Sequence, residues 1–312
     1  MQENAPDPVP AADEVLVQVQ MAGLNPLDFK IRDGSSGLAK DLPLPAGTGR
    51  ELVGTVIGAG EGLDDTELAA LGLSVGTRVF GMRRNSDRRG TVAEKAALLA
   101  DDLAPLPAGS SDEDLPVFAG LALAGLTALA VIEDCAQISE GQTVLVHGGT
   151  GGVGQLLIPL ALAAGASTVW ATGRAENAER IRSLGATPIA YDQQDWQEEI
   201  MRATEGRGVD AVLDTHYHRT FVPSLDVVAE GGIIVPLPSL ADLTPATEHG
   251  IRAVIPQIVP GRERLDRLVA LHREGTINLE VSQVLPIEEI QQAHRLLEEG
   301  HTRGKIVVQV SR

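Results

Sequence analysis

A chain of 312 residues, 43% apolar with 34 glycines and 18 prolines, is long enough for two domains, each with its own core. The net charge of −18 repels a polyanion and excludes nucleic acid as a partner. A single cysteine, Cys135, excludes an internal disulfide and every multi-cysteine zinc site.

The N-terminal MQENAPDPVPAADE lacks both the basic and the apolar region of a secretory signal. Alternation of Val15, Val17 and Val19 then predicts a strand over 14–20, followed by a loop, GLNPLDFKIRDG. Short β-type segments at 52–57, 78–80 and 103–106, separated by Gly- and Pro-rich turns, predict an all-β module, expected as an irregular barrel. After Asp114 the pattern changes to an Ala/Leu-rich helix over 119–135. Its longest apolar stretch, 118–132, contains two glycines and a threonine and is shorter than the roughly 18 to 20 residues a bilayer needs. No membrane span is expected, and the protein is read as cytoplasmic. Buried strands are predicted at 143–147, 168–172, 188–191, 211–214 and 233–237, with helices in the intervals. Strands alternating with helices predict an α/β fold with a parallel, doubly wound sheet. A helix over 262–273, a strand over 278–284, a helix over 287–299 and a terminal strand, KIVVQV, complete the chain.

The strand TVLVH runs directly into Gly148-Gly149-Thr150-Gly151-Gly152-Val153-Gly154, and a helix begins near Gln155. Gly149, Gly151 and Gly154 satisfy G-x-G-x-x-G, in which one glycine makes a tight turn, one admits a diphosphate and one lets helix and strand pack. The following helix N-terminus offers N–H groups and a positive dipole end to the anion. A flexible glycine loop is the alternative, but the strand before and the helix after favour a dinucleotide. An NAD site places an acid about 20 positions on. Here Thr172-Gly173-Arg174 follows, with Arg174 standing 20 residues after Gly154. A guanidinium suits a 2′-phosphate, so NADPH is the expected cofactor. The other reading is a surface arginine answering Glu176 or Glu179.

The strings GLTAL (125–129), EGQTVLVHGGTGGVGQL, LGAT (184–187), GVDAVLDT, EGGIIV and RGKIVVQV occur in this order. They resemble the zinc-independent medium-chain quinone oxidoreductases, the group that includes ζ-crystallin. GLNPLDFKIRDG is similar to the active-site segment of alkenal/enone oxidoreductases. The resemblance implies a GroES-like β-rich catalytic domain (1–115 and 261–312) clasping a Rossmann domain (116–260), with substrate and nicotinamide meeting in the cleft. It also implies hydride transfer from NADPH to a quinone or to the β-carbon of an activated alkene, and a homodimer. Carried over by position, Asn25, Asp28 and Lys30 line the substrate side. Thr127, Gly149, Thr150, Gly151, Gly152, Val153, Thr172, Gly173, Arg174, Tyr191 and Lys305 face the cofactor. A turn is the competing role for Asn25, and an Asx-type turn or an ion pair to Lys30 or Arg32 that for Asp28.

Several residues depart from the family pattern. Gly49-Arg50-Glu51 stands where zinc-dependent relatives have Gly-His-Glu, so no metal is expected. His216-Tyr217-His218 replaces the glycines that follow GVDAVLDT in many relatives, which leaves open a metal pair, a reshaped pocket or a strand end. Arg83, Arg84, Arg88 and Arg89 form a basic run that either meets an anionic substrate tail or neutralises nearby carboxylates. Cys135 is expected as a small buried hydrophobe. The strand usual before EVLV is shortened to a Pro-rich lead. Two other functions remain open at this level: an enoyl-thioester reductase, and a non-catalytic NADPH-binding or structural protein.

Overall fold

The computed structural model describes residues 6–40, 42, 46–84, 89–238, 240–300 and 302–311. Its strands are β1 (Glu14–Leu24), β2 (Glu51–Ala59), β3 (Arg78–Met82), β4 (Lys95–Leu99), β5 (Leu103–Pro105), β6 (Thr143–His147), β7 (Thr168–Gly173), β8 (Thr187–Ala190), β9 (Val209–Asp214), β10 (Val228–Pro236), β11 (Arg252–Ala253), β12 (Val281–Pro286) and β13 (Lys305–Gln309). The helices are α1 (Pro26–Arg32), α2 (Asp65–Ala70), α3 (Leu115–Leu129), α4 (Gly154–Ala163), α5 (Ala178–Ser183), α6 (Trp196–Ala203), α7 (Phe221–Ser224), α8 (Thr244–Glu248), α9 (Arg262–Arg273) and α10 (Ile290–Glu299). They form two compact units: Met1–Leu126 with Val259–Leu271 and Glu280–Arg312, and Thr127–Ile258 with His272–Leu279.

The first unit is built on β1. Val15, Val17 and Val19 are fully buried, as their alternation requires, and pack with Leu52, Val56, Val79 and Leu98. β2 lies along one edge of β1; the other edge is shared, β4 pairing at Glu14–Gln18 and β13 at Met21–Leu24. The path β12-β13-β1-β2-β3-β5, with β4 also on β1, gives one seven-stranded sheet. β4 has the sequence KAALL, whose alanines and leucines read as helix by propensity; pairing with β1 overrides that preference. The expected loop after β1 contains α1, started by Pro26 in the first turn after Asn25.

The second unit is a six-stranded parallel sheet in the order β11-β10-β9-β6-β7-β8. The chain runs outward from β6 to β8, then returns to the far side of β6 for β9 to β11. The direction therefore switches between β6 and β9, and the carboxyl ends of strands at such a switch are where open α/β sheets bind ligands. Leu145, Val212 and Ile234 form the middle of the sheet against Phe221 and Ile200.

Most of α3 belongs to the first unit, where the sequence places it in the second. A Cβ added at Gly23 would stand 2.4 Å from the Ala119 carbonyl oxygen, and one added at Gly125 would stand 2.7 Å from Leu268 on α9. Glycine thus lets this apolar helix dock on β1. Among the described residues, the helical stretch Asp112–Ala136 passes the length and composition test for a membrane span, but 89% of its most apolar window is buried inside the protein.

Candidate functional site

In the second unit, β6 ends at His147 and the chain turns at once through Gly148, whose φ of +69° suits glycine. The end of β7 anchors this turn. The Gly148 N–H donates to Thr172 Oγ1 at 3.1 Å and the Gly149 N–H to the Thr172 carbonyl at 2.9 Å. A Cβ at Gly149 would meet Ala171 at 2.7 Å, and one at Gly154 would stand 2.1 Å from the Gly148 carbonyl. These two glycines serve the close approach of helix, strand and turn. A Cβ at Gly151 would meet only the Gly148 carbonyl, at 3.3 Å, and otherwise open space. Among the described residues, no protein acceptor takes the N–H of Gly152 or Val153. Space at Gly151 beside open N–H groups fits a dinucleotide diphosphate.

His147 was not singled out by sequence reasoning, although a histidine ending the apolar run TVLV was its trace. It is 1% exposed, with Nδ1 3.1 Å from Thr172 Oγ1 and Nε2 2.9 Å from Ser224 Oγ. Burial pushes its pKa down to about 4, so it is neutral at neutral pH. Thr172 Oγ1 thus lies between the Gly148 N–H, from which it accepts, and His147 Nδ1, while the other ring nitrogen meets Ser224 Oγ. This chain of bonds ties the start of the glycine loop to α7.

Arg174 follows β7, half-exposed, with Glu176 at 3.9 Å across a weak surface pair. The Tyr191 N–H donates to the Gly173 carbonyl at 3.1 Å, which brings Tyr191 beside Gly173 and Arg174. Thr150 and Thr127 are buried, the latter on α3.

The first unit holds a separate polar cluster. Glu51, fully buried on β2, accepts from Asn25 Nδ2 at 2.9 Å, from Lys305 Nζ at 2.7 Å and from the Leu123 N–H at 2.8 Å. Lys305 also donates to Asn25 Oδ1 at 2.5 Å and to the Leu24 carbonyl at 2.9 Å. The structure therefore joins Asn25 to Lys305 through Glu51, which sequence reasoning noted only as part of the Gly49-Arg50-Glu51 departure. Lys305, expected at the cofactor, has all three N–H donors engaged within this cluster.

Asp28 is buried beneath α1. Its Oδ2 accepts from the Asn25 N–H at 2.8 Å and its Oδ1 from the Gly49 N–H at 2.9 Å. The competing ion pair with Arg32 is not seen: Arg32 instead pairs with Glu298, and its Nη1 lies 3.1 Å from His294 Nδ1. Burial raises the Asp28 carboxyl to about 6 against the opposing pull of those two N–H bonds and of the Lys305 and Arg50 charges. Lys30 sits half-buried on the last turn of α1.

In the basic run, Arg84 pairs with Asp102 at 3.0 Å and Arg89 with Glu14, while Arg83 is buried. Arg88 lies outside the described residues. Arg84 and Arg89 thus neutralise carboxylates of their own chain. Among the described residues no three His, Cys, Asp or Glu side chains gather as a metal site. Cys135 is buried, and burial with Asp134 beside it pushes its thiol up.

A Rossmann sheet with an anchored glycine loop and a β-rich unit of GroES-like topology together define a nicotinamide-dinucleotide oxidoreductase fold. Residues 11–108 match the family model of the alcohol dehydrogenase GroES-like domain, and 184–308 that of the zinc-binding dehydrogenases. The 2-methylene-furan-3-one reductase of Solanum lycopersicum is 30% identical over 99% of this chain and 74% of its own length. The solved quinone oxidoreductase of Coxiella burnetii is 32% identical, with a TM-score of 0.89 over 98% of this chain and 93% of that one. The Escherichia coli quinone oxidoreductase, solved in complex with NADPH, is 27% identical with a TM-score of 0.84, covering 99% and 94%. The chain belongs to the quinone oxidoreductase group of the medium-chain dehydrogenase/reductase superfamily.

Proposed function

We propose that the protein reduces quinones, or carbon–carbon double bonds conjugated to a carbonyl, with NADPH as reductant and without zinc. Bound NADPH supplies the hydride. The observation that carries the reading is the loop Gly148–Gly154, held by Thr172 and followed by Arg174. Gly151 leaves room for the diphosphate, and Arg174, with Tyr191 beside it, takes the 2′-phosphate through a fork of donors. The Escherichia coli structure named above holds NADPH on the same fold, and the tomato relative is named for reducing a 2-methylene-furan-3-one, a ketone conjugated to a carbon–carbon double bond.

Asn25 is the donor we assign to the substrate's carbonyl oxygen, since one N–H of its amide goes to Glu51 and a second remains. Lys305, Glu51 and Asp28 are positioning residues in this reading: the first two fix the Asn25 side chain, and Asp28 fixes its backbone. Lys30 is the second candidate donor. The donor set also supports a reaction without zinc. Glu51 is committed to an ammonium group that repels a dication, and its neighbour Arg50 is a second cation. A saturated ketone needs strong polarisation at its oxygen, which zinc relatives provide with a Lewis acid. In an enone or quinone the charge spreads over the conjugated system, so one or two hydrogen-bond donors suffice.

The test is stopped-flow NADPH oxidation across quinones, 2-alkenals and saturated ketones. Quinones or alkenals are expected to turn over and saturated ketones to remain; ready reduction of ketones alone overturns the reading. NADPH is expected to bind at least about tenfold better than NADH, about 1.4 kcal/mol, and Arg174→Asp to erase the difference. Asn25→Ala is expected to lower kcat by about 10² to 10³, the usual loss for one donor to a developing oxyanion. NADPH affinity is expected to hold, because the glycine loop belongs to the other unit. If Asn25→Ala and Lys30→Met both keep the original rate, neither residue is a donor.

A further inference from the structure

The turn His216-Tyr217-His218 follows β9, the strand bordering the switch point, and β9 pairs with β6 so that Asp214 stands opposite His147. The buried Asp214 carboxylate fixes the turn. Its Oδ1 accepts from the His216 and Tyr217 N–H groups, each at 2.9 Å, and from the Thr220 hydroxyl at 2.7 Å. Tyr217 adopts a φ of +66° there, and its hydroxyl takes the Asp242 N–H at 2.6 Å. The turn is thus held at both ends in a conformation that a non-glycine residue rarely adopts.

This geometry sets the His216 ring against the start of the phosphate loop. A Cβ built on Gly148 would lie 2.3 Å from His216 Cε1 and 2.8 Å from its Nδ1. The protonation of the ring follows from a donor count. The Thr215 hydroxyl donates its one proton to the His147 carbonyl at 2.7 Å. At 2.9 Å from His216 Nδ1 it can therefore only accept, so the Nδ1 carries a proton. In neutral His216, then, Nε2 is an acceptor; in the protonated ring it is an N–H donor with a positive charge. Since the residue is exposed, this change happens at the mouth of the loop.

We propose that His216 is a dinucleotide-binding residue whose protonated Nε2 contacts the diphosphate beside Gly148, so that the protein takes up a proton as it binds the cofactor. The inference rests on the dinucleotide reading of the loop. A neutral Nε2 turns a lone pair toward the phosphate oxygens, whereas a protonated one makes a charge-assisted bond to them. The other titratable groups around the turn are Asp214 and His147 behind it, Tyr217 and His218 within it, Arg219 after it and Asp242 across from Tyr217. Of these, Asp214 is the carboxylate bonded to the His216 backbone N–H. His147 is already neutral, its pKa held at about 4 by burial.

The test is the Kd of NADH and of NADPH for the full chain at pH 6 and pH 8, by calorimetry in two buffers of different ionisation enthalpy. NADH matters because it lacks the 2′-phosphate, which itself titrates near pH 6. For the unmodified protein, NADH is expected to bind about three- to tenfold more tightly at pH 6, with a net uptake of protons. His216→Gln is expected to abolish both effects while keeping the pH 8 affinity within about threefold. His218→Gln, one residue beyond Tyr217, is expected to keep them. An unchanged pH dependence and proton uptake in His216→Gln overturns the role of His216 and leaves the dinucleotide site standing. Absence of any NADH or NADPH binding overturns both.

Discussion

Lys305 and Glu51 show how a buried charge is tolerated when every donor and acceptor is matched. Lys305 is 4% exposed and gives its protons to Glu51, Asn25 and Leu24. Lys305→Met leaves Glu51 buried without its cation, which costs about 3–5 kcal/mol. The double substitution Lys305→Met with Glu51→Gln removes that uncompensated charge and is expected to recover a good part of the loss in urea unfolding. A double variant as unstable as Lys305→Met alone would show that packing, and not charge, dominates. Asp28 titrates in the opposite direction from a salt-bridged carboxylate. Its folded pKa of about 6 lies above the ordinary 3.8, so between these values the folded state holds a proton that the unfolded state has released. The contribution is fully present below about pH 4 and is lost as pH rises through 6. Carboxyl NMR should find one Asp with a midpoint near 6 that is missing from Asp28→Asn. All three residues were legible to different degrees. Asn25 and Asp28 stood in a motif, whereas the bonds of Lys305 to Leu24, Asn25 and Glu51 were not legible, because these partners lie far away in sequence.

At the scale of elements, the glycine loop separates folding from binding. Gly154→Ala forces a Cβ to within 2.1 Å of the Gly148 carbonyl, so helix α4 cannot keep its place on the turn. Gly151→Ala meets a single atom at 3.3 Å and should fold almost normally, but its methyl group occupies the space where the diphosphate approaches. Thermal melts and NADPH titrations are expected to divide the two: Gly154→Ala loses stability and affinity together, and Gly151→Ala loses affinity with a nearly unchanged Tm. Retained affinity in Gly151→Ala would remove that glycine from the site. The motif and its flanking strand and helix were readable because every part is local. α1 was not, since a seven-residue helix between a strand and a turn carries too little periodicity to be separated from a loop. β4 was missed for a related reason: KAALL acquires its extended form only from the register Gln18↔Lys95 to Glu14↔Leu99 on β1.

For the whole molecule, the prediction is metal independence. Cys135 is the only cysteine, and Glu51 is engaged by Lys305. Purified protein is expected to contain no stoichiometric zinc, and chelation to leave the melting curve and turnover unchanged; about one zinc per chain, lost together with activity, would overturn this. The sequence by itself determined the α/β class, the parallel sheet, the glycine loop and the family resemblance, because strand alternation, glycine spacing and contiguous motifs are written within a few residues of one another. Only the tertiary structure decided that α3 meets β1 closely at Gly23, that the turn after β9 sets His216 against Gly148, and that Lys305 closes on Asn25 and Glu51. Each of these depends on residues far apart in the chain, brought together when strands pair and helices pack, and such contacts leave no period or spacing in the sequence.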